Sequence, residues 1–269
     1  MMSPHAQRWI TGIVAVPVLF CVVFFGTETV FAILIFLAAL AGIYEYGVVV
    51  FGTGRGREKG ELFFFGAVVL LAAIAGDREC LLAVLTLSVL GVFVLDLFSA
   101  RERPFDMDAT AKTILGLAYV PLLMSHFIFL RQEGEGVRWI FFVLMLAFSG
   151  DIAAFYVGRK FGRRKLLPSV SPGKTVEGIL GLVAGSLAGG LLFRSLFFPA
   201  LPLLHVCVLA VAGGIVGQLG DLSESAIKRS AGVKDSGAIL PGHGGILDRL
   251  DCLLFLVPFV YYYQRFVMP

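Results

Sequence analysis

One polar stretch of the chain, Asp221 to Asp251, gathers carboxylates, lysines and a glycine-rich turn between two strongly apolar segments; it reads DLSESAIKRSAGVKDSGAILPGHGGILDRLD. Asp221, Ser225 and Lys228 recur at i, i+4 and i+7, so a helix carries them on one face. Asp248 and Asp251 stand at i and i+3 at the start of the next helix, with Arg249 between them. Two helix ends are therefore expected to offer carboxylates to one point. Between them run Lys234-Asp235 and then Leu240-Pro241-Gly242-His243-Gly244-Gly245. Glycines let a backbone approach a ligand closely and adopt positive φ. Carboxylate oxygens suit Mg²⁺, and lysines beside a glycine-rich turn suit a polyphosphate.

The elements that position these groups are membrane helices. The 269 residues are 58% hydrophobic with a mean hydropathy of +0.90. Apolar runs long enough to cross a bilayer recur along the whole chain, which excludes an ordinary soluble domain. The expected fold is all-α: a single polytopic membrane bundle of about nine helices over residues 1–269. The spans fall near 9–25, 29–51, 62–76, 80–98, 112–130, 139–158, 176–198, 201–220 and 249–264. Residues 1–130 read as scaffold, and 139–269 carry the chemical motifs. A net charge of +3 gives no reason to expect nucleic acid. Cys21, Cys80, Cys207 and Cys252 have no CxxC spacing, so neither a disulfide framework nor a zinc site is expected.

Nine spans place 17 of the 22 basic residues in loops on one side and 5 on the other. By the positive-inside rule the N-terminus is then cytosolic and the C-terminus lies across the membrane. The basic loops 159–174 and 228–249 share the cytosolic side, where a nucleotide would be met. Asp151 falls inside the sixth span, where a carboxylate must be paired, protonated or in a wet cavity. Glu45 and Asp96 lie near cytosolic helix ends and are read as structural partners of loop lysines. His126 and His205 are read as packing residues. Gly181, Gly185 and Gly189, and likewise Gly213 and Gly217, recur every four residues, which suits close helix packing in lipid. The same faces could instead serve a homodimer.

Ser225-x-x-Lys228-Arg229, Lys234-Asp235, Pro241-x-His243-Gly244-Gly245 and Asp248-Arg249-x-Asp251 together resemble the signature of the bacterial phosphatidate cytidylyltransferases, the CDP-diacylglycerol synthases. The resemblance extends to Ser149-Gly150-Asp151, to Ala154-Phe155-Tyr156 and to Ser171-Pro172-Gly173-Lys174-Thr175-x-Glu177-Gly178. It implies an enzyme of phospholipid biosynthesis in the cytoplasmic (inner) membrane. CTP and phosphatidate would give CDP-diacylglycerol and pyrophosphate. It also implies a two-metal centre, Mg²⁺ with K⁺ as the second ion, on the aspartates; Asp221 and Asp248 are the first choices as ligands, with Asp251 next.

Catalytic roles are expected for Asp221, Lys228, Asp248 and Asp251. Substrate contacts are expected from Asp151, Ser171, Lys174, Thr175, Arg229, Lys234, His243 and Arg249. Lys228, Arg229 and Lys234 are placed to hold a triphosphate, whereas Lys174 could meet either the lipid phosphate or the nucleotide. His243 either positions its loop or touches phosphate. A phosphate dianion is already a nucleophile, so no general base is required. A CTP-dependent lipid-alcohol kinase would use similar loops but would need a base for its hydroxyl. A transporter would instead tend to spread intramembrane polar groups over two related halves.

Overall fold

The structure, a computed structural model, describes residues 4–76, 78–101, 103–239 and 244–268. His243 and the preceding residues of the glycine-rich turn, 240–242, lie outside the described residues. In chain order the elements are α1 (Pro4–Phe25), α2 (Glu28–Phe51), α3 (Gly56–Ile74), α4 (Arg78–Ser99), α5 (Met107–Leu117), a π-helical turn (Ala118–Leu122), α6 (Leu123–Gln132) and α7 (Gly136–Phe161). A hairpin of β1 (Lys165–Leu167) and β2 (Ser171–Thr175) follows, then α8 (Val176–Phe197), α9 (Leu203–Ser230) and α10 (Leu247–Val267).

Apolar chain in lipid must satisfy its own backbone groups, and helices do so within one segment. Among the described residues, seven helices are long and apolar enough to cross a bilayer. They match seven of the spans read from the sequence. The first and third spans coincide with α1 and α3, which are helical but fall outside that set. α3 opens with Arg57, Glu58, Lys59 and Glu61, so its apolar part is short. α5, the π-turn and α6 run on as one rod, Met107–Gln132. Pro121 lies in the π-turn; it lacks an N–H and its ring crowds the preceding turn, which the wider turn relieves.

The chain forms two compact units, Met1–Phe129 with Ser230–Arg249, and Leu130–Arg229 with Leu250–Pro269. In the first, α2 packs against α3 and the π-turn around buried Ile43, Tyr46, Leu62, Leu117 and Val120. Tyr46 donates its hydroxyl to the Lys112 carbonyl at 3.0 Å. The charged start of α3 is tied to α4 and to the segment before α5: Arg57 pairs with Asp96 of α4 at 2.7 Å, Arg103 with Glu58 at 2.8 Å and Arg55 with Asp106 at 2.7 Å. Thr110 also donates to Asp96 at 2.6 Å. Asp96 is thus structural as expected, with an arginine in place of a lysine. Asp106 caps α5 through the Ala109 N–H, and the Arg55 hydrogen bond holds its carboxyl below the usual carboxylate range.

In the second unit α7 and α8 lie together along their length. A Cβ on Gly181 would stand 2.6 Å from the Val157 Cβ, and one on Gly185 2.5 Å from both the Ala153 Cβ and the Ser149 carbonyl oxygen. The glycine stripe of α8 is therefore filled by α7 of the same chain, which is the packing reading. Gly213 of α9 meets Leu256 of α10 in the same way. His126 and His205 also have packing roles, the first against the Leu122 carbonyl and the second against the Tyr263 hydroxyl, each at 2.9 Å.

Candidate active site

The basic loop after α7 is folded by the start of α8. Glu177, in the first turn of α8, accepts the Arg163 N–H at 2.9 Å and the Arg164 N–H at 3.2 Å. β1 and β2 then pair antiparallel, with Lys165 opposite Thr175 and Leu167 opposite Ser171. These strands differ from the plain loop the sequence suggested. Thr175 is the N-cap of α8 and takes the Gly178 N–H at 3.1 Å. It is buried, so its hydroxyl oxygen serves the helix end; that is a structural use of a residue expected to bind substrate. Ser171 opens β2.

The hairpin leads Lys174 to α9. Its Nζ lies 2.5 Å from Asp221 Oδ2, with both side chains half-buried. α9 runs to Ser230, ten residues past the apolar span that ends near 220, so Asp221, Ser225 and Lys228 share one helix as their spacing predicts. Asp221 therefore sits inside a helix rather than at its end. Glu224 and Lys228 pair one turn apart on the same helix. Glu224 is almost wholly buried, 2% exposed. It was missed in the sequence, although its i+3 and i−4 offsets from Asp221 and Lys228 were a readable signal. Arg229 reaches back to the hairpin at the Val170 carbonyl, 3.4 Å away.

Asp251, on α10, completes this group. It stands against the same stretch of α9 that carries Asp221: a Cβ on Gly220 would lie 2.6 Å from the Asp251 carbonyl oxygen. Asp151 lines a small cavity with Ser186, Gln218 and Cys252. The intramembrane carboxylate thus has polar neighbours around it, in keeping with its position. The second unit brings together Asp151, Lys174, Asp221, Lys228 and Asp251 from four separate segments of chain.

The remaining motif residues belong to the first unit. Asp248, in the first turn of α10, accepts the Ser236 N–H at 3.1 Å and the Gly245 N–H at 2.9 Å. Lys234 and Arg249 are exposed. Glu45 corrects its sequence reading. Its partners are donors of the same loop and helix end, Ser236 Oγ at 3.1 Å, Ile246 N–H at 3.0 Å and Leu247 N–H at 2.9 Å, and among the described residues no loop lysine pairs with it. No sequence signal joined Glu45 to residues some 200 positions away.

Among the described residues, no three acidic, cysteine or histidine side chains close around a single point to hold a metal. The donor chemistry nevertheless fits Mg²⁺. This ion commonly takes one or two protein carboxylates and completes its shell with water and substrate phosphate. Asp221 of α9 and Asp251 of α10 supply hard oxygens on two helices that pack against each other at Gly220.

An all-α polytopic bundle with carboxylates, lysines and a folded basic hairpin gathered in one unit defines an integral membrane enzyme. The chain belongs to the cytidylyltransferase family, whose sequence model matches residues 6–267. It is similar to the phosphatidate cytidylyltransferase of Haemophilus influenzae (strain ATCC 51907 / DSM 11121 / KW20 / Rd), 30% identical over 97% of this chain and 99% of that one. The phosphatidate cytidylyltransferase of Staphylococcus haemolyticus (strain JCSC1435) is 31% identical over 93% of this chain and 95% of its own. That of Bacillus subtilis (strain 168) is 40% identical over 162 residues, 60% of each chain.

Proposed function

We propose that this chain transfers the cytidylyl group of CTP to phosphatidate, giving CDP-diacylglycerol and pyrophosphate. The observation that carries the reading is the gathering of Asp151, Lys174, Asp221, Lys228 and Asp251 in one compact unit of a cytidylyltransferase-family membrane protein. An oxygen of the lipid phosphate bonds to the α-phosphorus of CTP, and the bond from that phosphorus to the β-phosphate bridging oxygen breaks. The nucleophile is already ionised, so the residues need not remove a proton. Their work is to hold two anions together, which repel until their charge is met. Lys174 and Lys228, now paired with Asp221 and Glu224, are the ammonium groups that would turn to phosphate oxygens as substrates enter.

Asp221 and Asp251 are the proposed Mg²⁺ ligands, and K⁺ is the proposed second ion. When bound, such a cation stabilises the charge that develops on phosphate oxygens. Asp248 already accepts backbone N–H groups but keeps further lone pairs; its own substitution tests its share. The 17-to-5 split of basic residues supports a cytosolic N-terminus and a cytosolic active site; membership of a family with bacterial relatives supports residence in the cytoplasmic (inner) membrane. A homodimer would use a face other than the α8 glycine stripe, which α7 covers.

The test is purified protein with Mg²⁺, phosphatidate and CTP labelled at the α-phosphate. Label is expected in the lipid phase, with pyrophosphate in the water. Label that stays water-soluble as CDP, while γ-label moves to a lipid alcohol, would replace transfer with a kinase reaction.

A further inference from the structure

Glu45 is 1% exposed, carries a carboxylate, and lies in α2, a segment with none of the motif residues. Among the described residues, its hydrogen bonds go to the polar stretch before and at the start of α10. Oε1 takes the Ile246 N–H at 3.0 Å, and Oε2 takes the Leu247 N–H at 2.9 Å and the Ser236 hydroxyl at 3.1 Å. The first N–H groups of a helix have no partner within it, and a carboxylate there also meets the positive end of the helix dipole. Burial of this carboxylate is thus offset by neutral donors.

The same few residues are gripped from the other side. Asp248 takes the N–H of Ser236 and that of Gly245. Ser236 therefore hands its hydroxyl to Glu45 and its backbone to Asp248. The fit is tight. A Cβ on Gly245 would stand 2.5 Å from Glu45 Oε2, and one on Gly237 2.6 Å from Oε1. Side chains at either position would push the loop off the carboxylate, which gives both glycines a steric reason.

We propose that Glu45 is a positioning residue for the transfer reaction: through Ser236 and the first turn of α10 it fixes the orientation of Asp248 and the path of Lys234-Asp235-Ser236. The inference rests on the cytidylyl-transfer reading. Glu45 does not touch substrate; it acts by holding groups expected to do so. Glutamine at this site keeps the shape but puts an NH₂ against a backbone N–H or the Ser236 hydroxyl, so at least one contact turns into a donor facing a donor.

The experiment uses the full chain in detergent, with wild type, Glu45→Gln, Ser236→Ala and the double variant. Two quantities are read: label transfer from α-labelled CTP, split into kcat and KM, and amide hydrogen exchange by segment. Glu45→Gln is expected to lower kcat by about tenfold or more, with a smaller change in KM for CTP and faster exchange confined to 236 and 245–248. Ser236→Ala should lower kcat by a smaller factor in the same direction. The double variant should be no worse than Glu45→Gln alone, because both remove one clamp. Unchanged kcat and unchanged local exchange in Glu45→Gln would overturn the proposal. So would exchange rising equally through α2 to α5, which would mean general destabilisation. If wild type transfers no label at all, the transfer reading fails. Confined exchange in Glu45→Gln would then still show the clamp, and its absence would remove that too.

Discussion

Lys174 and Asp221 form an ion pair of 2.5 Å between the end of the basic hairpin and the middle of α9. The two residues are 47 positions apart in the sequence. Neither charge faces open water fully, so each has its partner in place of part of its solvent shell. Asp221→Asn should reduce turnover about 100-fold or more, with the protein still inserted and monodisperse. Lys174→Gln should do likewise. The double variant should lose far less than the product of the two, as expected for groups that act as a unit. Near-normal turnover of Asp221→Asn at limiting Mg²⁺ would remove Asp221 from the metal ligands and leave Asp251 and Asp151.

Asp248→Asn is expected to abolish most activity on its own account. Its carboxylate takes N–H groups from both Ser236 and Gly245, and asparagine offers one acceptor oxygen in place of two. Asp96→Asn is the comparison. Asp96 is buried against Arg57 and Thr110, so its loss should lower the thermal midpoint in detergent while kcat stays within a few-fold of wild type, by order of magnitude. Equal losses of kcat in both variants would tie Asp96 to the chemistry.

Gly185→Val should destabilise the second unit. The first added carbon already meets the Ala153 Cβ and Ser149 carbonyl at 2.5 Å, and overpacking of this kind costs about 1–3 kcal/mol. Thermal unfolding in detergent checks it. A midpoint equal to wild type would mean that α7 and α8 can part without cost.

Reporter fusions at Arg8 and after Pro269 should report opposite sides of the membrane. The basis is the 17-to-5 distribution of basic residues. Matching signals would mean an even number of spans, and α3, with four charges in its first two turns, would be the first to lose that status.

Acid should loosen the start of α5. The hydrogen bond from Arg55 keeps the Asp106 carboxyl below its usual range, aided by the Ala109 N–H. A lowered folded value means that the contribution to stability is present above the unfolded value of about 3.9 and is lost as pH falls through the folded one. The gap in thermal midpoint between wild type and Asp106→Asn should therefore be constant near neutrality and close at strongly acid pH. A gap that widens on acidification would contradict the Arg55 contact.

Much of this was legible in the sequence because lipid leaves few choices. A long apolar run must be a helix, since no water is present to satisfy its backbone, and the spans of α2 and α4 to α10 follow from that alone. The acids and lysines of Asp221 to Asp251 were equally plain, because charge between two apolar runs needs a reason. The spacing of Asp221, Ser225 and Lys228 already placed them on one helical face, and the family resemblance followed from the same residues. What the sequence left open is where a polar helix stops. α9 continues to Ser230 past the apolar run, because Glu224 and Lys228 pair along it, which hydropathy does not register. Pairing across distance was also beyond it. Lys174 could have met lipid or nucleotide, and the hairpin brings it to Asp221. Glu45 read as a partner for a lysine, yet its carboxylate closes on N–H groups some 200 residues away. Hydrogen bonds between distant segments depend on which helix ends the packed bundle brings side by side, and that is decided by tertiary structure.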